Sequence, residues 1–278
     1  MKLHGSLISL TAISSLVLLL HIFNGLLIIK KRNLHKTRYY YILNLTVSDT
    51  CLVIFGFFMN IYNIEEKLLP FAHCFYFCSI ITTLFISIDR YIAIKYCLYY
   101  HMIVTKKRVK LSFIVIWVTS IFANMFPLIC NTFAGNDDLY LKLKQWITYF
   151  ITIACSIGLL LLALYTMHLR NKHIRHITSM RIYFGITSER LGMLRHLKRS
   201  VKDVFYLNII TFLLIMLPNL FRIYYEQWAP DETYSGVIGG IILIYMTTNP
   251  LVYAMTMSEL RTHYRDFLQK ISYCFYRC

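Results

Sequence analysis

The chain has 278 residues, of which 58% are hydrophobic and 15% charged, with a mean hydropathy of +0.55 and a formal net charge of +16. An ordinary soluble domain carries roughly 25% charged residues, so most of this chain cannot face water, and soluble-enzyme, nucleic-acid-binding and secreted mini-protein readings fail. Gly 10 and Pro 5 are too few for a fibrous or disordered chain, and Cys 8 without regular spacing makes no disulfide scaffold.

A transmembrane helix needs about 20 mostly apolar residues. Windows free of Asp, Glu, Lys and Arg run over 3–29, 68–88, 111–136, 145–169, 204–221 and 233–258, and a seventh, 39–64, is broken only by Asp49. The expected fold is an all-α membrane protein. It is a single domain of seven transmembrane helices at approximately 4–30, 38–63, 69–93, 109–131, 145–169, 200–226 and 235–257, with a short amphipathic eighth helix at 258–271. No internal repeat is visible. The first window is too long for a cleaved signal peptide, and Lys30, Lys31 and Arg32 follow it where a cleavage site would stand.

Lys and Arg in the connections set the orientation. With the amino terminus outside, the three inner loops and the carboxyl tail hold 24 of the 29 basic residues. The expected location is therefore the plasma membrane, multi-pass, with a cytoplasmic tail. A basic inner face meets anionic lipid and acidic partners, and nothing aromatic or glycine-rich organises these residues for nucleic acid. The outer connections are short: Glu65 and Glu66 cap the second, residues 136–143 form much of the third, and residues 227–234 make the last. Almost nothing precedes the first span, so no amino-terminal ligand-binding domain is expected. The sequon Asn44-Leu45-Thr46 falls inside a span near the cytoplasm and should be silent.

Asp49 costs about 2.5–3.5 kcal/mol at mid-membrane and should face the bundle interior. Asn24 in the first span, Ser79 in the third and Asn249 in the seventh are its natural neighbours. One carboxylate among amide and hydroxyl oxygens suits a small cation or a water-satisfied polar core. Asp89-Arg90-Tyr91 stands at the inner end of the third span, where an adjacent Asp can neutralise Arg90 at rest and its release would offer a guanidinium to a partner's carbonyls. Asn249-Pro250-Leu251-Val252-Tyr253 closes the seventh span. Pro250 and, in the sixth, Pro218 permit kinks.

On these residues the whole chain resembles the rhodopsin-like G-protein-coupled receptors. Asn24 with Gly25, Asn44-Leu45 with Asp49, Ser79, residues 89–91, Trp117, Tyr165, Phe212, Pro218 and residues 249–253 stand where the family pattern puts them. Ser258 to Lys270 is similar to the family's membrane-surface helix, with Leu260, Tyr264, Phe267, Leu268 and Ile271 on one face. Beyond it, Cys274 and Cys278 look like palmitoylation sites or unmodified thiols. The resemblance implies a receptor for an extracellular ligand, with outward swing of the sixth helix opening an inner cleft for a heterotrimeric G protein, and for arrestin. It implies an activation switch of Arg90, Tyr165 and Tyr253, and no cofactor beyond an allosteric sodium ion held by Asp49, Ser79 and Asn249.

The chain departs from the pattern at several positions. Arg90 follows Asp49 by only 41 positions, so helix three or its preceding loop is cut short and Glu65 stands where the family's outer cysteine would. Cys74 and Cys130 are then either a replacement disulfide or two apolar core cysteines. Met216 replaces the usual tryptophan of span six. Lys198 stands where an acidic partner of Arg90 would, which predicts raised basal signalling. Ala72 replaces the acid that an amine receptor needs, and Leu243 the lysine that an opsin needs. Residues counted onto the outer pocket are Ala72, His73, Tyr76, Tyr149, Met216, Asn219, Leu220 and Leu243. They suit a small lipophilic or weakly polar ligand, with His73 a ligand contact or an ordinary core histidine. Tyr100 to Thr105 followed by Lys107-Arg108-Val109 looks like the second inner loop of melanocortin receptors, which keeps a peptide ligand open. The inner loop from Asn171 to Ser200 is the expected contact with G protein and lipid. His168, His173 and His176 have metal-like spacing but lie in a wet, basic loop. A receptor-like heteromer partner that does not signal is the alternative function. A channel or transporter would want more intramembrane charge than Asp49 alone, and an enzyme would want converging acids or histidines in the spans.

Overall fold

The structure, a computed structural model, describes residues 2–30, 37–62, 65–96, 99–134, 137–184, 209–210, 212–213, 244, 246–250, 261–266 and 269. Its elements in order are α1 (Lys2–Lys30), α2 (Thr37–Tyr62), α3 (Glu65–Lys95), the single turn α4 (Tyr100–Ile103), α5 (Lys106–Ala134) and α6 (Asp137–Phe184). Five stretches are long and apolar enough to cross a membrane: Ala12–Lys30, Tyr39–Phe58, Pro70–Lys95, Lys106–Pro127 and Lys142–Leu169. They are the first five expected spans. Of spans six and seven and the eighth helix, only short helical pieces belong to the described residues.

The helix ends differ from the sequence expectation in an instructive way. Only residues 63 and 64 lie between α2 and α3, and α3 is 31 residues long with Pro70 inside it. The shortening between Asp49 and Arg90 therefore falls on the outer connection and not on helix three. Residues 137–143, expected as a loop, open α6, which runs for 48 residues. Its inner end takes in residues 171–184, also expected as loop. No Gly or Pro occurs between Gly158 and Gly185, and extending a helix already formed is far easier than starting one.

Polarity is distributed inside out. On α1 the buried stripe is Val17, His21, Asn24 and Ile28, while Leu16, Leu19, Ile22, Leu26 and Ile29 are exposed. On α5, Ser112, Ser120 and Asn124 are buried while Leu111, Ile114, Val118 and Phe122 are exposed. Both series follow the 3.6-residue period of one helix face, and apolar side chains outward with polar ones inward is the arrangement that a lipid solvent favours. Buried hydroxyls close back onto their own helix: Thr46 on Ile42 O at 2.8 Å, Ser120 on Ile116 O at 2.8 Å and Ser156 on Thr152 O at 2.7 Å.

The centre of the bundle is α3, which packs against α2, α5 and α6. Phe77, Cys78 and Ile80 on it are fully buried and join Ile116 of α5 and Leu159 of α6. A second apolar cluster nearer the inner end gathers Tyr39, Ile42 and Leu45 of α2 with Ile86 of α3 and Val109 of α5. Gly158 lets α6 close onto α3, because a Cβ there would meet Leu84 Cδ1 at 3.3 Å.

Candidate functional site

Asp49 is wholly buried in the middle of α2, and its Oδ2 accepts from the Asn249 amide at 3.0 Å. Ser79 of α3, also fully buried, turns its hydroxyl to the same carboxylate. The structure thus joins three of the four expected polar residues across spans two, three and seven. Asn24, the fourth, is buried nearby, and its Oδ1 accepts from the Tyr264 hydroxyl instead.

A residue that the sequence reading passed over belongs to this core. His21, one turn before Asn24 on the inward stripe of α1, is 1% exposed and lies close enough to Asp49 to feel its charge. The resemblance implies a sodium ion at this place. A hard cation takes a shell of oxygens, whereas imidazole suits softer transition metals. Asp49, Ser79 and Asn249 supply oxygens, but His21 does not belong in such a shell, so the donor set departs from that of a sodium site. The spacing of His21 and Asn24 along one face was the available signal, since a histidine there cannot face lipid without cost.

At the inner end of α3, Asp89 is buried and its Oδ1 accepts from the Tyr100 hydroxyl of α4 at 2.7 Å. In the sequence Tyr100 stands only as part of a loop pattern, and no local periodicity marks it as a partner of Asp89. Arg90 is half-buried. The Tyr91 ring lies 5.5 Å from that of Tyr165 on α6, which stacks on His168 at 6.5 Å. Lys95 covers Tyr91 at 5.4 Å. Arg108 donates to the Ile103 carbonyl at 2.8 Å, fixing the short turn between α4 and α5.

Between core and inner end, Trp117 of α5 donates to Asn44 Oδ1 at 3.0 Å, and Asn44 Nδ2 donates to Thr82 Oγ1 at 2.8 Å. The sequon asparagine is therefore engaged at both ends of its amide inside the bundle, in keeping with a silent sequon.

At the outer end, Ala72 is buried, and His73, Tyr76 and Tyr149 are half-buried. Tyr149 borders an open hollow on the surface of α6, beside the exposed Trp146, Phe150 and Ile157. Met216, Pro218, Asn219, Leu220 and Leu243 lie outside the described residues, as do Lys198, Tyr253, Cys274 and Cys278. Of the two readings of Cys74 and Cys130, the structure has the unbonded one: both are free thiols. Cys74 is buried one turn before Cys78 on α3 and belongs to the apolar interior, whereas Cys130 is only half-buried near the end of α5.

Tyr264, expected on the apolar face of helix eight, is a polar anchor as well. Its ring meets Phe23 edge-on at 5.2 Å while its hydroxyl donates to Asn24. Burial pushes that hydroxyl up to about 12, with the bond to Asn24 pulling the other way, so it remains a donor at physiological pH. Tyr264→Phe keeps the ring contact and orphans a buried acceptor, at a cost of about 1–3 kcal/mol. The expected result is a lower Tm for the purified protein in detergent. An unchanged Tm would show that the bond contributes nothing net.

The family model described as 7 transmembrane receptor (rhodopsin family) matches residues 26–253. The chain is similar to melanocortin receptor 5 of Rattus norvegicus, 23% identical over 268 residues that cover 87% of this chain and 77% of the relative. It is similar also to the histamine H2 receptor of Rattus norvegicus, 26% identical over 220 residues that cover 75% of this chain and 59% of that relative. With a match that runs from the first span through Tyr253, the chain belongs to the rhodopsin family of seven-transmembrane receptors.

Proposed function

We propose that this chain is a plasma-membrane receptor that passes an extracellular signal to a heterotrimeric G protein, with its amino terminus outside and its carboxyl tail in the cytoplasm. The observation that carries the reading is the inner end of α3. There Arg90 stands between an Asp89 already bonded to Tyr100 and a Tyr91 packed on Tyr165, on a helix whose middle meets the Asp49–Asn249 core. A carboxylate engaged by a phenol is a weaker latch for a neighbouring guanidinium, and release of Arg90 would offer it to a partner's carbonyls. The basic stretch from Arg170 to Lys202, part of it on the inner end of α6, supplies the charge for G protein, arrestin and anionic lipid.

The ligand reading is a small lipophilic molecule or a peptide. Ala72, His73, Tyr76 and Tyr149 offer aromatic and apolar surface with few polar groups, and Ala72 supplies no acid for an amine, which sets this chain apart from the histamine-named relative. The second inner loop is the part that resembles the melanocortin-named one. Sealing of the tail to the membrane through Cys274 and Cys278 belongs to the same proposal.

Unstimulated cAMP and calcium signalling in cells expressing the chain, compared with Arg90→Ala at matched surface level, tests it. The expected outcome is a basal signal lost in Arg90→Ala and lowered in Lys198→Glu, where an acid restores a latch on Arg90. Equal signals from all three chains would favour a silent heteromer partner.

A further inference from the structure

The polar core of this receptor contains a group that an oxygen-built cation site does not use. Both ring nitrogens of His21 are buried without a hydrogen-bond partner among the described residues, and so is Oδ1 of Asp49, whose Oδ2 is taken by Asn249. The ring and the carboxylate are close enough to interact electrostatically, and the Met246 backbone of span seven faces the same ring. An imidazole N–H and a carboxylate oxygen left unmatched side by side at such depth are costly. Each is the chemical complement of the other, directly or through one bridging water.

We propose that His21 takes the place of the sodium ion in this core: its ring N–H satisfies Asp49 Oδ1, ties α1 to α2 and span seven, and keeps the site closed to sodium. The imidazole beside Asp49 supplies no oxygen to the shell of a hard cation. His21 is on this view a positioning and specificity-determining residue of the polar core.

The test is thermal stability of the purified full chain in detergent, followed by intrinsic tryptophan fluorescence in equal concentrations of NaCl or choline chloride. It needs no ligand and no signalling, so its outcome is separate from that of the receptor assay. The wild-type Tm should be the same in both salts. His21→Ala, which opens room beside Asp49, should gain a Tm that rises by a few degrees with NaCl, as binding to the folded state alone requires. Asp49→Asn added to it should remove that rise. A sodium-dependent rise in the wild type as large as that in His21→Ala overturns the proposal. So does the absence of any rise in His21→Ala, since His21 would then not be what keeps the ion out. If His21→Ala does not fold, His21→Asn takes its place, and a sodium response of the wild type decides by itself.

Discussion

Trp117→Ala destabilises the bundle by about 3–5 kcal/mol, the range for removing a large aromatic from a packed interior, and this is read as a fall in both Tm and surface level. The size follows from two losses at one position. The indole packs edge-on against Phe75 at 5.9 Å, where α5 meets α3. Its Nε1 also donates to Asn44 Oδ1 at 3.0 Å, and Asn44 passes the contact on to Thr82, which donates to Cys78 O at 2.6 Å. Trp117→Phe separates the two terms, because it keeps most of the packing and loses only the donor. Orphaning the Asn44 oxygen costs about 1–3 kcal/mol, so Trp117→Phe should fall between wild type and Trp117→Ala. Equal loss in the two variants would mean that the hydrogen bond carries all of the effect, and no loss in either would sink the account of α5 packing.

The weight of such a network comes from the solvent outside it. No water within the hydrocarbon region repairs an unmatched amide, so the helices satisfy their own backbones and the few polar side chains must find one another. The hydroxyls of α2, α3, α5 and α6 do this locally by bonding the carbonyl one turn back, which requires nothing of neighbouring helices. Asn44, Trp117, Asp49 and Asn249 are different. Their bonds cross from one helix to another and so fix which faces meet.

This difference also explains what could be read from the sequence. The first five spans were legible because lipid imposes length and hydropathy directly, and α1, α2 and α5 end within a few residues of where the charges predicted. Asp49 and Asn249 were legible because a lone carboxylate in a span must turn inward and needs an amide. The ends of α3 and α6 were not, since nothing in residues 65–69, 137–143 or 171–184 forbids a helix and hydropathy stops marking one outside the membrane. His21 and Tyr100 were missed for another reason. Each faces a carboxylate on another helix (Asp49 near one, Asp89 bonded to the other), and pairing across helices depends on rotation about the helix axis, which composition does not record. The choice between a Cys74–Cys130 disulfide and two free thiols stayed open for the same reason: matching residue types at the outer ends of two spans does not place two thiols face to face.

Tyr100→Phe lowers basal signalling by about tenfold, the equivalent of a charge-assisted hydrogen bond of roughly 1.5 kcal/mol moved from one side of a two-state balance to the other. The Tyr100 hydroxyl donates to Asp89 Oδ1 at 2.7 Å, and Asp89 is only 4% exposed. A buried carboxylate that loses a donor turns to the strongest one left, and the neighbouring residue along the chain is Arg90. Its guanidinium then spends more time latched and less time offered to the G protein, so the resting state gains. The ring itself keeps its edge-on contact with His101 at 5.4 Å, and α4 keeps its turn closed by the Val104 N–H to Tyr100 O bond at 2.8 Å, so the change should leave surface level and Tm nearly untouched. Combining it with Asp89→Asn gives the internal control. Once the carboxylate is neutral, the phenol has no latch to weaken, and Tyr100→Phe should have little further effect. A tenfold loss that persists in the Asp89→Asn background would show that Tyr100 contacts the G protein itself and does not act through Asp89.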